Sequence, residues 1–446
     1  MPRFFKFLMA FLALSLLFTF WLWGERAQAA TSSEGNILKL HSILELAQER
    51  NLDIQKSRQE LLRAEGKDFE GQAGYLPRLD LTGSYMQQNN ALNERKDKES
   101  SGGSITLSQT LYEGGKNKAK KNQAVSFREA AYQGIEVTTQ DVFYQVLDTY
   151  YEVLLGKANV QTAEDGLAYA REHLRETERK RILGIATNFE VIRAEQQESA
   201  RNTELIAAKN QLESAKIDLL TLLRLPQKEQ YDFQGSLAYT PFREEPEAAL
   251  ETALEKRPDL RKAHSDVAFQ REQVIVERSS SLPRVSIYGK YSYDDPASNY
   301  DNEEDTWSAG IQVSFPIFDG NEALGKALQE KATLQQQELG IAQKEEEIKR
   351  EIAHAFLNLT STEEAVFSTK KNLELARESL RLAQVGYREG VSTQLDVLDA
   401  QTTLTLAEKE HSGAIKKHAM AMVALEKARG TLGTTSMATL PEGGTQ

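Results

Sequence analysis

The segment Thr306-Trp-Ser-Ala-Gly-Ile-Gln-Val-Ser-Phe-Pro-Ile-Phe-Asp-Gly320 carries two structural types in one short run. Trp307, Ala309, Ile311, Val313, Phe315 and Ile317 alternate with Ser308, Gly310, Gln312 and Ser314, the period of a strand with one apolar and one hydrophilic face. Asp319-Gly320 then marks a change of backbone type, where a capping Asp and the freedom of Gly favour a helix start. After Pro316 no proline occurs until Pro441, so one very long helix can follow.

Read outward from this segment, the chain repeats itself. Leu111-Tyr112-Glu113-Gly114 returns as Ile317-Phe318-Asp319-Gly320, Leu76-Pro77-Arg78 as Leu282-Pro283-Arg284, and Gly184-Ile185-Ala186-Thr187 as Gly390-Val391-Ser392-Thr393, each pair 206 residues apart. Asp53-Ile54 and Asp259-Leu260 keep the same offset. The period exceeds that of solenoids, so a whole structural half is duplicated. The reading gives residues 1–29 as a signal peptide, 30–226 as the first repeat (helix, strand pair, long helix, return helix), and 227–246 as a linker. The second repeat is 247–432 and the C-terminal tail 433–446.

Within each half the proline-free stretches are rich in Ala, Glu, Lys, Gln and Leu. Val153, Gly156, Val160, Ala163, Leu167, Ala170 and Leu174 step by alternating threes and fours, a coiled-coil seam. The return helix repeats it with Leu205, Ala208, Leu212, Ala215, Leu219 and Leu222, matched by His411, Ala414, His418, Ala421, Leu425 and Ala428. A helix from Gly115 to Arg181 would be about 100 Å long at 1.5 Å per residue. That length suits a structure bridging two membranes.

The remaining strands have the same two-faced pattern. Leu79, Leu81 and Tyr85 oppose Asp80, Thr82 and Ser84; Ile105, Leu107 and Leu111 oppose Thr106, Ser108 and Thr110; Val285, Ile287, Tyr291 and Tyr293 oppose Ser286, Tyr288, Lys290 and Ser292. Tyr75, Tyr85, Tyr112, Tyr293, Trp307 and Phe318 stand near strand ends, where interfacial aromatics belong. The expected lipid face is Leu79, Leu81, Tyr85, Ile105, Leu107, Val285, Ile287, Trp307, Ile311, Val313 and Phe315; the alternative is two hairpins closing a soluble core. The segments Gln87–Gly103 and Asp294–Asp305 read as exposed loops, the second holding six acids. Four strands cannot close a barrel, and an open edge in lipid costs several kcal/mol per unpaired backbone group. Oligomerisation is therefore expected, with eight strands in a dimer or twelve in a trimer.

Composition narrows the class. The 446 residues include no cysteine, which excludes disulfides, thiol chemistry, Cys-ligated metals and a lipidated Cys. A net charge of −12 argues against nucleic acid. Arg3 and Lys6, the apolar run Phe7 to Trp23, and Ala27-Gln28-Ala29 read as an export signal, with Ala30 first in the mature chain; an uncleaved inner-membrane anchor is the alternative. Its removal takes away three basic side chains and one acidic one, leaving −14. After residue 30 no apolar run is long enough for a spanning helix. HExxH, phosphate-loop and GxSxG motifs are absent from the sequence, and the six His are scattered. No enzyme, no cofactor and no metal site is expected, and seam residues His411 and His418 are read as packing.

The SFPIFDG segment, its partner QTLYEGG and, above all, YREGVSTQLDVLDAQTTL from Tyr387 to Leu404 resemble the TolC family of outer-membrane efflux proteins. The resemblance implies an α+β membrane protein: a homotrimer whose twelve strands form one barrel in outer-membrane lipid, continuing into a long coiled-coil α-barrel across the periplasm. It implies an exit duct of a tripartite efflux or type I secretion system, working with a periplasmic adaptor and an inner-membrane transporter. Gly184, Thr187, Gly390 and Thr393 match the family's adaptor-docking tips, and Asp396 and Asp399 its periplasmic gate. Glu190 and Arg193 stand at the equivalent first-repeat positions. Where some members have a gate-restraining Arg, this chain has Ser392. The alternative function is a periplasmic coiled-coil scaffold or adaptor held at the inner membrane.

Overall fold

A computed structural model of the chain describes residues 37–88, 98–227, 229, 231–295 and 304–433. The expected signal segment and most of the two polar loops lie outside the described residues. So does the C-terminal tail beyond Gly433. The chain divides into two units, of which the smaller has Ile37, Tyr231 and Asp232 as its described residues and the larger holds the remaining described residues.

The first repeat comprises α1 (Leu40–Arg50), α2 (Leu52–Ala73), β1 (Arg78–Gln88), β2 (Lys98–Glu113), α3 (Lys116–Ile182) and α4 (Asn188–Leu222). The second comprises α5 (Pro246–Lys256), α6 (Pro258–Ser279), β3 (Arg284–Asp295), β4 (Glu304–Ser314), α7 (Glu322–Arg388) and α8 (Gln394–Ala428). Corresponding helices have equal lengths of 11, 22, 67 and 35 residues, and each begins 206 positions after its counterpart. The two 67-residue helices are rods of about 100 Å.

Helices form one layer. In the half nearer the strands the order is α2–α3–α6–α7; in the other half it is α4–α3–α8–α7. The seam read from the sequence is the packed side of α3: Val153, Gly156, Ala163, Leu167 and Ala170 are buried, with Val160 and Leu174 partly so. A Cβ at Gly156 would lie 3.1 Å from Leu212 Cδ1 and 3.2 Å from its Cα, so glycine there lets α3 and α4 approach closely.

The four strands form one antiparallel sheet in the order β1-β2-β3-β4. A bulge between Thr110 and Tyr112 leaves Leu111 unpaired, so Tyr112 faces Val285 and Glu113 faces Arg284. The extra residue shifts the parity of β2. Strict alternation does not anticipate this, and it places Tyr112 on the apolar face. The exits into helix use left-handed backbone: Gly115 has φ 86° and Asn321 φ 69°. Asp319 caps the second exit, accepting from the Asn321 amide at 2.9 Å and the Ala323 amide at 3.0 Å.

Candidate membrane sheet, gate and docking tips

The register sorts the sheet into two faces. Leu79 pairs with Leu107, Leu81 with Ile105, Ile105 with Tyr291, Tyr291 with Trp307, Ile287 with Ile311 and Val285 with Val313, and directly paired residues share a face. Leu81, Trp307, Ile311 and Val313 are 65–79% exposed. Nothing among the described residues covers this face as a soluble core would. Of the expected lipid-facing set, ten residues lie on strands; Tyr85 is opposite Ser101 on the same face, and Phe315 falls just past the end of β4, before Pro316. Pro316 has no N–H to donate, which ends the ladder and leaves Phe315 at the rim, 56% exposed.

The opposite face is hydrophilic and rich in short hydroxyl side chains, with Asp80, Lys290 and Gln312 among them. One row runs across all four strands as Thr82, Ser104, Ser292 and Thr306, with Thr82 Oγ1 2.8 Å from Ser104 Oγ and Ser292 Oγ 2.8 Å from Thr306 Oγ1. An apolar outer surface and a hydroxylated inner one are what a transmembrane barrel wall requires.

At the far end of the rods two turns repeat one geometry. Gly184 has φ 76° and Gly390 φ 77°, the left-handed conformation that ends a helix. The Gly184 amide donates to Arg181 O at 2.9 Å and the Ile185 amide to Lys180 O at 2.8 Å; Gly390 donates to Tyr387 O and Val391 to Gly386 O in the same pattern. The next helix starts with a capping box. The Thr393 amide and hydroxyl both donate to Asp396 Oδ2 at 2.7 Å, and the Asp396 amide returns to Thr393 Oγ1 at 3.3 Å. Thr187 and Glu190 repeat this at 2.6, 2.9 and 3.3 Å. The bonds from the Thr393 amide and then its hydroxyl hold the Asp396 carboxyl below its ordinary pKa.

Asp396 and Asp399 are both exposed, on successive turns of α8. Asp396 is tied into the cap, as Glu190 is; Asp399 has no ion pair or side-chain acceptor role among the described residues. Around the first turn Ile182, Leu183, Ile185 and Phe189 are 71–78% exposed, and at the second Val391 is 84% exposed.

Just above the turns lies a cluster that the sequence reading passed over. His173 on α3 is 7% exposed, its Nε2 is 2.7 Å from Gln394 Nε2 on α8, and its ring lies 6.4 Å from those of both Tyr169 and Tyr387. With the amide donating, the imidazole is neutral and accepts at Nε2. Burial lowers its pKa; Glu176 opposes this and Lys180 adds to it. Lys180 Nζ sits 4.3 Å from the Tyr387 ring centroid. The sequence held no distinct signal for it, since the alternating seam passes from Ala170 to Leu174 and His173 stands beside that line.

His411 and His418 are spent on packing. Nδ1 of His411 is 3.2 Å from Thr369 Oγ1, and Nε2 of the buried His418 donates to Thr240 O at 3.1 Å. Among the described residues no group of three His, Asp or Glu is disposed to hold a metal.

A sheet with an apolar outer face, a hydroxylated inner face and helical rods of this length defines a membrane channel protein that extends away from the bilayer. The chain belongs to the outer membrane efflux protein family, whose model matches residues 43–223 and 249–431. It is similar to nodulation protein T of Rhizobium leguminosarum bv. trifolii, 23% identical over 88% of this chain and 85% of that one. Cobalt-zinc-cadmium resistance protein CzcC of Cupriavidus metallidurans is 25% identical over 88% and 90%. The solved structure of CusC superposes with a TM-score of 0.75 at 17% identity, covering 92% of this chain and 95% of that one. The chain is an outer-membrane exit duct for efflux or secretion, with a periplasmic helical extension.

Proposed function

We propose that three copies close head to tail into a single duct that catalyses no reaction and passes what an inner-membrane transporter delivers through a periplasmic adaptor. The observation that carries the trimer is that both layers are open at matching edges. Strands β1 and β4 are the sheet's unpaired edges and run antiparallel, so β4 of one copy can extend the ladder to β1 of the next. The helical layer ends at the same two sides. On α7, Leu328, Leu339, Leu357 and Leu375 are exposed at intervals of whole helical turns; on the other edge Leu62 and Phe69 of α2 and Ile192, Ile206 and Ile217 of α4 are exposed. A heterologous contact that closes after three copies covers both and gives twelve strands.

In this reading the strand ends remote from the helices face outward and the helical turns face the periplasm. Gly184, Thr187, Gly390 and Thr393 form the adaptor-docking tips, supported by the exposed Ile185, Phe189 and Val391 beside them. Asp396 and Asp399 line the mouth. Chemical cross-linking of the detergent-extracted protein should saturate at three chains; saturation at one or two overturns the trimer. Because the chain has no cysteine, single cysteines at Thr187 and Thr393 report docking directly. Both should cross-link to the adaptor in the periplasm, and failure of both would overturn the tip assignment.

A further inference from the structure

The hydroxylated face of the sheet has one large aromatic side chain, and it is not free. In the register, Arg78, Ser108, Tyr288 and Gly310 form one row across the four strands. A Cβ built on Gly310 would lie 3.3 Å from Tyr288 Oη and 3.4 Å from both Cε1 and Cζ. The phenol ring of Tyr288 is therefore laid over Gly310, flat against the wall, in the space a side chain on β4 would fill. Around it on that face stand Ser286 and Lys290 of β3, Ser108 of β2, and Ser308 and Gln312 of β4, so Tyr288 is the one aromatic ring at this level and Lys290 and Gln312 are its only long neighbours among the described residues.

We propose that Tyr288 and Gly310 set the width of the duct's bore at this level, with Gly310 acting as a seat that keeps the tyrosine out of the passage. The inference rests on the trimeric barrel proposed above, in which this face lines the bore. Three phenol rings then stand at one height. Lying flat, each leaves the hydroxylated wall as the boundary; displaced from its seat, each projects inward by the length of its side chain. Glycine at 310 is otherwise unfavourable in a strand, because it leaves the backbone uncovered and packs nothing. The seated ring covers that backbone, so stability of the sheet and openness of the bore depend on the same contact.

The test uses the full chain in intact cells. Ser286→Cys, on the same face but nearer the helices than Tyr288, is labelled from outside with a small maleimide and with a large polymer-linked maleimide. In the parent both reagents should reach it. Adding Gly310→Val should slow the large reagent about tenfold while leaving the small one within about twofold, because the displaced ring narrows the bore without closing it. Adding Tyr288→Ala to that variant should restore the large reagent's rate. An unslowed large reagent in Gly310→Val, or equal slowing in the double variant, overturns the inference. Where Gly310→Val does not assemble, Gly310→Ala should give the same change at smaller amplitude. Failure of the small reagent to label the parent would instead remove the barrel reading, and this inference with it.

Discussion

Asn51 and Arg257 occupy one position of the duplicated chain, and each donates to a carbonyl at the end of its return helix. Asn51 Nδ2 reaches Leu222 O at 3.4 Å, and Arg257 Nη1 reaches Ala428 O at 3.3 Å. The first junction is neutral, with Asn51 Oδ1 accepting from the Asp53 amide at 2.9 Å. The second is ionic. Buried Arg257 holds Asp259 through Nε at 3.0 Å and Nη2 at 2.7 Å and also bonds Glu351, while Lys344 Nζ lies 3.0 Å from Asp259.

Arg257→Ala should therefore destabilise the fold by about 2 kcal/mol, since Glu351 loses its partner and Asp259 keeps only Lys344. Arg257→Asn with Glu351→Gln installs the neutral residues of the equivalent first-repeat positions, Asn51 and Gln145, and should recover most of the loss in thermal unfolding. Burial alone would raise the Asp259 pKa, but Arg257 and then Lys344 lower it to about 2. A depressed carboxyl stabilises above its unfolded pKa and loses that contribution as pH falls. After screening, about 1 kcal/mol should disappear between pH 3.8 and 2. The Arg257→Asn, Glu351→Gln variant should show a smaller loss over this window.

The two faces of β4 make opposite predictions for one substitution. In the proposed barrel Val313→Arg puts a charge on the lipid side and should impair assembly by about 2–4 kcal/mol if it sits near the bilayer midplane, whereas Gln312→Arg faces the proposed bore and should be tolerated. Trimer yield in membranes checks this, and equal effects would mean that the strands are not transmembrane.

In the proposed gate the capping geometry separates two neighbouring acids, Asp396 and Asp399. Asp399→Asn should lower cation selectivity and relieve block by a trivalent cation added on the periplasmic side, with no loss of trimer stability. Asp396→Ala should cost about 1 kcal/mol as a lost cap, and Glu190→Ala a similar amount. Planar-bilayer recordings and thermal melts read the two effects separately. Undiminished block in Asp396→Asn with Asp399→Asn would place the constriction elsewhere.

His173 gives a pH dependence of the opposite kind to a surface histidine. Its pKa is lowered, so the neutral form belongs to the folded state and its contribution is complete above the ordinary pKa of 6.5. As pH falls below 6.5, protonation removes the acceptor for Gln394. Tyr169, Glu176 and Lys180 of α3, Tyr387 of α7 and Gln394 of α8 surround it, and Gln384 of α7 bonds Tyr169 behind it. Hydrogen exchange around residues 169–180 and 387–394 should be faster at pH 5.5 than at 7.5, and His173→Phe should flatten that difference. Exchange that is independent of pH in the parent would refute it.

The amino-acid sequence by itself determined the duplication, the long helices and the two-faced strands. Each follows from spacing along the chain: an offset of 206, the absence of proline, and periods of 3.5 and 2. Gly184 and Gly390 were legible as turns because a left-handed residue there has few alternatives. Only the tertiary structure decided the rest. The bulge at Leu111 reverses the parity of β2 for reasons set by its partner β3, and the strand ends before Phe315 because the ladder loses its donor at Pro316. Likewise, His173 meets Gln394 across 221 positions, and Tyr288 finds its seat on a glycine of the next strand. Periodicity gives the face a residue occupies while the ladder is regular, but where a bulge falls, and which side chain from a distant segment fills the space beside a residue, depend on register and packing between elements.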